Sequence, residues 1–169
     1  MTKSTNNDSD TVAESPVSVL IVDNDKHHAQ AMAEILERTG YPCKMATSGP
    51  EGAKRIDQET YDVVITDLMM NDIDGMDILS RAQESLPDCE VIMVTGHGTI
   101  PRAVEAMQQG AFTFIEKPIH ADGLRAATDK AAEAIRLRRT NLDLHQRLDE
   151  KFGYEQIIYA LSLIHISEP

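Results

Sequence analysis

Four apolar runs in this chain each deliver one polar group at the C-terminal end. Val17-Ser18-Val19-Leu20-Ile21-Val22 ends on Asp23-Asn24-Asp25, and Val63-Val64-Ile65-Thr66 ends on Asp67. Val91-Ile92-Met93-Val94 ends on Thr95, and Phe112-Thr113-Phe114-Ile115 is followed by Glu116, Lys117 and Pro118. In an open α/β sheet the carboxyl ends of parallel strands share one edge, and ligands bind there. Two or three carboxylates, a hydroxyl and an ammonium would converge on that edge. Such a set suits a divalent cation beside a phosphoryl group, with an aspartate as nucleophile. A carboxylate attacks phosphorus only where the negative charge of the phosphoryl oxygens is screened, because phosphoryl transfer is mostly positioning and electrostatics. A hard cation supplies that screening, a lysine ammonium adds a compact point charge, and threonine offers a hydroxyl small enough to move.

Taken singly, these residues carry little. Asp23 and Asp25 are most often helix caps for a segment starting at Lys26. Thr95 beside Gly96 is ordinary turn chemistry, Lys117 before Pro118 is a solvated loop lysine, and Phe114 is plain packing. The conjunction at four strand ends makes the case.

The elements that must position them alternate along the chain. Ala29, Met32, Ala33 and Leu36 fall at i, i+3, i+4, i+7, an amphipathic helix stopped by Gly40. Ser48-Gly49-Pro50-Glu51 has capping-box spacing and predicts a short helix from Pro50 to Asp57. Asp74 predicts the cap of a helix carrying Ile78, Leu79, Ala82 and Leu86, closed by Pro87. Ile100, Ala103, Val104 and Met107 repeat the spacing up to Gly110. Leu124, Ala127, Ala131 and Ile135 begin a fifth helix. Five strands alternating with five helices imply a doubly wound α/β fold around a parallel sheet. The runs at Val17, Val63 and Val91 are continuous hydrophobics, as central strands require. Tyr41 to Thr47 and Phe112 to Glu116 alternate and belong at the edges. The predicted order is 2-1-3-4-5, flavodoxin-like, and its switch point lies where Asp23 and Asp67 emerge.

Composition narrows the class. The 169 residues carry a formal charge of −12, which argues against direct nucleic-acid binding by this fragment, since phosphate-backbone binding needs clustered Lys and Arg. Acidity favours solubility and tolerates cations. Cys43 and Cys89 stand singly, without CxxC spacing, and read as thiols in a reducing cytoplasm. No signal peptide is visible and no apolar run is long enough to span a membrane, so a cytoplasmic chain with no membrane partner is expected. His27, His28, His97, His120, His145 and His165 lack metal-ligand spacing and read as surface or loop residues, with His97 near the site mouth. No glycine-rich nucleotide cradle occurs.

The segments VLIVDND, VVITDLMMNDIDGMDIL, VIMVTGHG and GAFTFIEKP resemble the four signature blocks of CheY-like response-regulator receiver domains, over about Val17 to Ile135. The resemblance implies that Asp67 is the phosphoacceptor. It implies Mg²⁺ held by Asp23, Asn24, Asp67 and the main-chain carbonyl of Met69. Thr95 and Lys117 would contact phosphoryl oxygens. Thr95 and Phe114 would form the switch, and a cis peptide bond would precede Pro118. Two positions depart from the pattern. Asn24 stands where a second acidic residue is usual, and Asn71 where proline commonly follows methionine. The first weakens cation binding, although Asp25 lies one residue on; the second loosens a loop.

The chain divides into a disordered leader over residues 1–15, a receiver over 16–135, a helical linker over 136–151 and a tail over 152–169. Ile135 to Lys151 contains no Gly or Pro, and Leu137, Asn141, Leu144 and Leu148 follow 4-3-4 spacing, a short coiled-coil seam with one polar position or a solvated linker helix. Arg136, Arg138 and Arg139 form a small basic patch. Phe152-Gly153-Tyr154-Glu155-Gln156-Ile157-Ile158 looks like the opening of the ATPase domain in sigma-54-dependent, NtrC-type transcriptional activators. From Tyr159 the likeness stops, as for a truncated following domain or a non-native tail.

The function expected is a phosphoacceptor receiver in a two-component pathway, served by a sensor histidine kinase, acting as a homodimer and not as a dedicated enzyme. The alternative is a phosphorylation-independent pseudo-receiver, motivated by Asn24. A dehalogenase-type phosphatase would want D-x-D at the nucleophile, whereas Asp67 is followed by Leu68-Met69.

Overall fold

The computed structural model describes residues 15–96 and 98–166, with side chains through Lys151. The expected leader, apart from Ser15, and the last three residues of the tail lie outside the described residues. Five strands and five helices alternate: β1 Val19–Val22, α1 Lys26–Arg38, β2 Cys43–Ala46, α2 Gly49–Gln58, β3 Val63–Asp67, α3 Gly75–Ser85, β4 Glu90–Thr95, α4 Ile100–Gln108, β5 Thr113–Glu116 and α5 Ala121–Ile166. All strand pairs are parallel, in the order β2-β1-β3-β4-β5. Every residue of β1 and β3 is buried, while β2 and β5 are half exposed, as the continuous and alternating runs predicted.

Successive strand residues feed opposite cores, because side chains alternate across a pleated sheet. Val19, Ile21, Val63, Ile65, Ile92 and Val94 pack with Met32 and Leu36 of α1 and with Leu124, Ala131 and Ile135 of α5. Leu20, Val22, Val64, Val91 and Met93 pack with Ile56 of α2, Ile78, Leu79 and Ala82 of α3, and Ala106 of α4. The strand register sets Val22 opposite Thr66, Asp67 opposite Val94 and Thr95 opposite Glu116. The carboxyl ends are therefore level, and the four polar groups share one edge.

Capping fixes the helix starts. Asp25 is the N-cap of α1 and accepts from the His27 and His28 amides, satisfying donors that a helix leaves orphaned. Ser48 caps α2, but the Glu51 carboxylate accepts from the Thr47 amide, one residue short of the reciprocal bond the spacing predicted. Asp74 and Asp77 form a complete capping box at α3. The α4 helix forms where the spacing placed it, with its apolar face only partly committed to the core. Ala103 and Ala106 are buried, whereas Val104 is 48% exposed, and Ile100 and Met107 also stay open. The sheet meets α4 through its small residues, leaving the longer ones on the rim of that contact.

Tyr41, just before β2, is buried, and its hydroxyl donates to Asp129 on α5 at 2.5 Å. Burial, with the Asp129 carboxylate beside it, pushes this phenol up to about 12. Burial likewise pushes the Cys43 and Cys89 thiols up to about 12, so both are un-ionised at neutral pH and poor nucleophiles. A raised acid favours folding while it stays protonated, so the Tyr41 contribution is intact below pH ~10 and is lost as pH rises toward about 12. Tyrosinate absorbance should show a late ionisation near pH 12 that disappears in Tyr41→Phe. That variant should also lose about 1 kcal/mol at neutral pH, measured by urea denaturation.

Candidate functional site

β1 delivers Asp23 fully buried, with its amide donating to the Ala46 carbonyl of β2 at 3.0 Å. Its Oδ1 accepts from the Asp25 amide at 2.8 Å, while its buried Oδ2 has no hydrogen-bond partner among the described residues. Burial raises the Asp23 carboxyl above the usual aspartate range; the Asp25 amide opposes this, and the Asp67 carboxylate adds to it. Asn24 is exposed beside it. Asp25 does not substitute for Asn24, because its Oδ1 serves as the α1 cap. The amide of His28, foremost, holds the Asp25 carboxyl below its ordinary value.

β3 delivers Asp67, which is 5% exposed. The Lys117 Nζ, from just beyond β5, reaches its Oδ2 at 2.9 Å, and the Met69 amide donates to its Oδ1 at 3.2 Å. The turn after Asp67 is held tightly. The Gly75 amide donates to the Leu68 carbonyl at 2.9 Å, and a Cβ on Gly75 would lie 2.6 Å from the Asp67 carbonyl oxygen. Only glycine lets α3 begin against the backbone of the candidate phosphoacceptor.

Thr95 is fully buried at the end of β4, its hydroxyl donating to the Ile115 carbonyl at 3.5 Å, the outer limit of a hydrogen bond. Its own carbonyl accepts from the Lys117 amide at 2.7 Å, which fixes the lysine's backbone to the strand beside Asp67. Phe114 is half-buried against the core of α2, α3 and α4. The Lys117–Pro118 peptide bond is cis. The structure thus brings Asp23, Asp67 and Lys117 to one pocket and sets Thr95 at the next strand end. Met69 sits in the loop and is 51% exposed.

Two neighbours escaped the sequence. His28, read as a surface residue, places its Nδ1 3.6 Å from Asp23 Oδ2. Arg102 on α4 bridges to Asp74 at 2.8 Å and lies beside the Met69 sulfur. Burial alone would raise Asp74, but the Asp77 amide and the Arg102 guanidinium outweigh it, and its carboxyl falls below the usual range. The Asp25 cap was the available signal for His28, since it sets the first turn of α1 beside the strand end. His97 lies outside the described residues. Among the described residues no three His, Cys, Asp or Glu side chains form a ready metal cluster. No helix there is long and apolar enough to cross a membrane.

A buried aspartate gripped by lysine at the switch point of a parallel sheet, with a second aspartate beside it, defines a receiver-type acidic pocket. Residues 19–129 match the response regulator receiver domain, and the chain belongs to that family. It is 41% identical over 118 residues to the transcriptional regulatory protein GlrR of Escherichia coli, covering 70% of this chain and 27% of that protein. It is 38% identical over 137 residues to the C4-dicarboxylate transport transcriptional regulatory protein DctD of Pseudomonas aeruginosa, covering 79% and 29%. A solved structure of NtrX from Brucella abortus superposes with a TM-score of 0.72 at 30% identity, over 77% of this chain and 30% of that one. A receiver domain from Clostridium thermocellum gives 0.66 at 33% identity, over 73% and 98%. The chain thus spans under a third of the length of these curated relatives, which are NtrC-type response regulators, as the resemblance implied.

Because the raised Asp23 favours its protonated form in the folded chain, its ionised form costs stability as pH rises through the raised value. Asp23→Asn should therefore raise Tm at neutral pH without added cation by about 2–4 °C, the shift of roughly one kcal/mol in a chain of this size. The gap should narrow as pH falls toward 3.8, the ordinary aspartate value, when followed by calorimetry.

Proposed function

We propose that Asp67 accepts a phosphoryl group from a phosphohistidine of a sensor histidine kinase in the cytoplasm. One Asp67 carboxylate oxygen forms the new O–P bond, the N–P bond breaks, and the imidazole leaves with the electron pair. The observation that carries this reading is the 2.9 Å contact of Lys117 with an Asp67 carboxylate whose neighbour Asp23 holds a buried oxygen with no hydrogen-bond partner among the described residues. That orphaned oxygen and the hard-oxygen donor set fit a divalent cation, so Asp23, Asn24, Asp67 and the Met69 carbonyl would hold Mg²⁺. When bound, it screens phosphoryl charge. Lys117 keeps its ammonium on the same group, and Thr95 supplies a hydroxyl to a phosphoryl oxygen once it leaves the long bond to Ile115. The acyl phosphate is later hydrolysed, and the chain serves as a phosphoacceptor and not as a dedicated enzyme.

Asn24 favours a second reading, the pseudo-receiver whose partner contacts need no phosphate. Intact-mass analysis with Mg²⁺ and a small-molecule phosphodonor separates the two. One phosphoryl group should be gained, and Asp67→Asn should gain none. A chain that stays unlabelled, or a variant that labels like the parent, would sink the first reading.

The output we propose is a homodimer through α5, regulating transcription as part of an NtrC-type activator. Leu137, Leu144 and Leu148 are each about half exposed on a helix that runs unbroken past the core, and Asn141 sits in the same seam. Pairing two such helices buries that stripe. Sedimentation should show self-association that is lost in a chain ending at Ile135 and weakened in Leu144→Glu. Monomers throughout, with and without phosphodonor, would leave the linker a solvated helix.

A further inference from the structure

We propose that His28 is a ligand of the cation held at Asp23 and Asp67, giving the pocket a mixed imidazole–carboxylate character that favours a first-row transition cation over Mg²⁺. The inference rests on the reading that those two aspartates hold a cation. It goes beyond that reading in naming a nitrogen ligand and a class of metal.

Three observations converge. First, Asp23 divides its carboxylate: Oδ1 is used by the Asp25 amide, whereas Oδ2 is buried without a hydrogen-bond partner among the described residues and faces the His28 ring. The separation of 3.6 Å from His28 Nδ1 exceeds a hydrogen bond. It is slightly wider than the roughly 3.0–3.4 Å between two donors about 2.1 Å from a shared ion at octahedral or tetrahedral angles, a gap that a small turn of the ring closes. Second, the oxygen donors are one charge short. Asn24 offers a neutral amide, and Asp25 spends its Oδ1 on the start of α1. Mg²⁺ depends on hard, charged oxygens, whereas imidazole is a good ligand for the transition series, so replacing a carboxylate by a histidine shifts preference toward the latter. Third, His28 is anchored where a ligand needs to be and free where it must move. Its backbone amide is bonded into the α1 cap, while its side chain is 46% exposed at the pocket mouth. Asp23, Asp67 and His28 are not gathered into a ready cluster; the exposed ring completes the set by turning about its side-chain torsions. Lys117 occupies the Oδ2 of Asp67, so it leaves the Asp23 side to the ion.

Mn²⁺ is the probe, because it accepts both oxygen and imidazole ligands and its electron spin reports coupled nitrogen. Electron spin-echo spectra of the full chain with Mn²⁺ should show imidazole nitrogen coupling. His28→Gln and His28→Ala should lose it, while His27→Ala should keep it. Calorimetric titration should show the ratio of Mn²⁺ to Mg²⁺ affinity falling about tenfold in the His28 variants. Circular dichroism confirms that each variant folds. Mn²⁺ bound without nitrogen coupling, or an unchanged affinity ratio, overturns the role of His28 and leaves the aspartate site standing. Mn²⁺ affinity unaltered by Asp23→Asn, or no Mn²⁺ binding at all, overturns the underlying cation site together with the inference.

Discussion

Two carboxylates share one buried corner of this molecule, and among the described residues a lysine reaches only Asp67. Lys117 neutralises Asp67, whereas Asp23 keeps a buried oxygen that accepts no hydrogen bond from the described residues. An uncompensated charge away from water is costly, so the folded chain carries a standing deficit of positive charge at this point. The sheet order creates it, since β1 and β3 are neighbours whose ends are level. The surrounding backbone keeps it from relaxing. Gly75 presses α3 against the Asp67 carbonyl, and the Thr95 carbonyl holds the Lys117 amide. A cation or a phosphoryl group placed here would act strongly, because either changes the sum of charges in a low-dielectric space.

The elements least committed to the core lie beside this corner. β5 is half exposed along its length, and its neighbour α4 buries chiefly Ala103 and Ala106. Buried apolar area sets how firmly an element is held, and alanines contribute little of it. The N-cap of α4, Thr99, makes no side-chain capping bond to the helix, its hydroxyl bonding instead to the Gly96 carbonyl. Arg102 ties α4 to the cap of α3 by a partly exposed ion pair, which holds a geometry more than it stabilises it. Thr95 lies between the two regions, with its hydroxyl on a stretched bond to β5. The hydroxyl has little to lose by moving, and the elements it would disturb are those with least packing to lose.

The fold was legible because burial on two faces writes itself into sequence as uninterrupted Val, Ile and Leu. Those runs located β1, β3 and β4 and, by contrast, the edge strands. The strand-end residues followed from the topology alone. Periodicity located α4 but not how much of it the sheet covers. It shows that Ile100, Val104 and Met107 share a face, but not that the sheet stops short of covering it. The Ser48–Glu51 spacing was right for a cap and one residue wrong for the return bond, since Glu51 reached the Thr47 amide. For His28 the Asp25 cap placed the first turn of α1 beside the strand end, but its nearness to Asp23 depends on how that turn folds back. Spacing along a chain carries no such angle.

α5 joins these local events to the rest of the chain. It starts four residues after Lys117, beside the acidic edge, and crosses the sheet with Leu124, Ala131 and Ile135 in the core. At the opposite edge Arg138 pairs with Glu90 at the start of β4, and Arg139 pairs with Asp62 just before β3. Those pairs are too exposed to contribute much stability, but they direct the helix as it leaves the domain. Beyond them Leu144 and Leu148 are half exposed. A helix is stiff along its length, so a rod seated at both edges of the sheet moves as one body if the Lys117 end shifts. The small basic patch on an acidic chain therefore sets the direction in which the leucine seam leaves the domain.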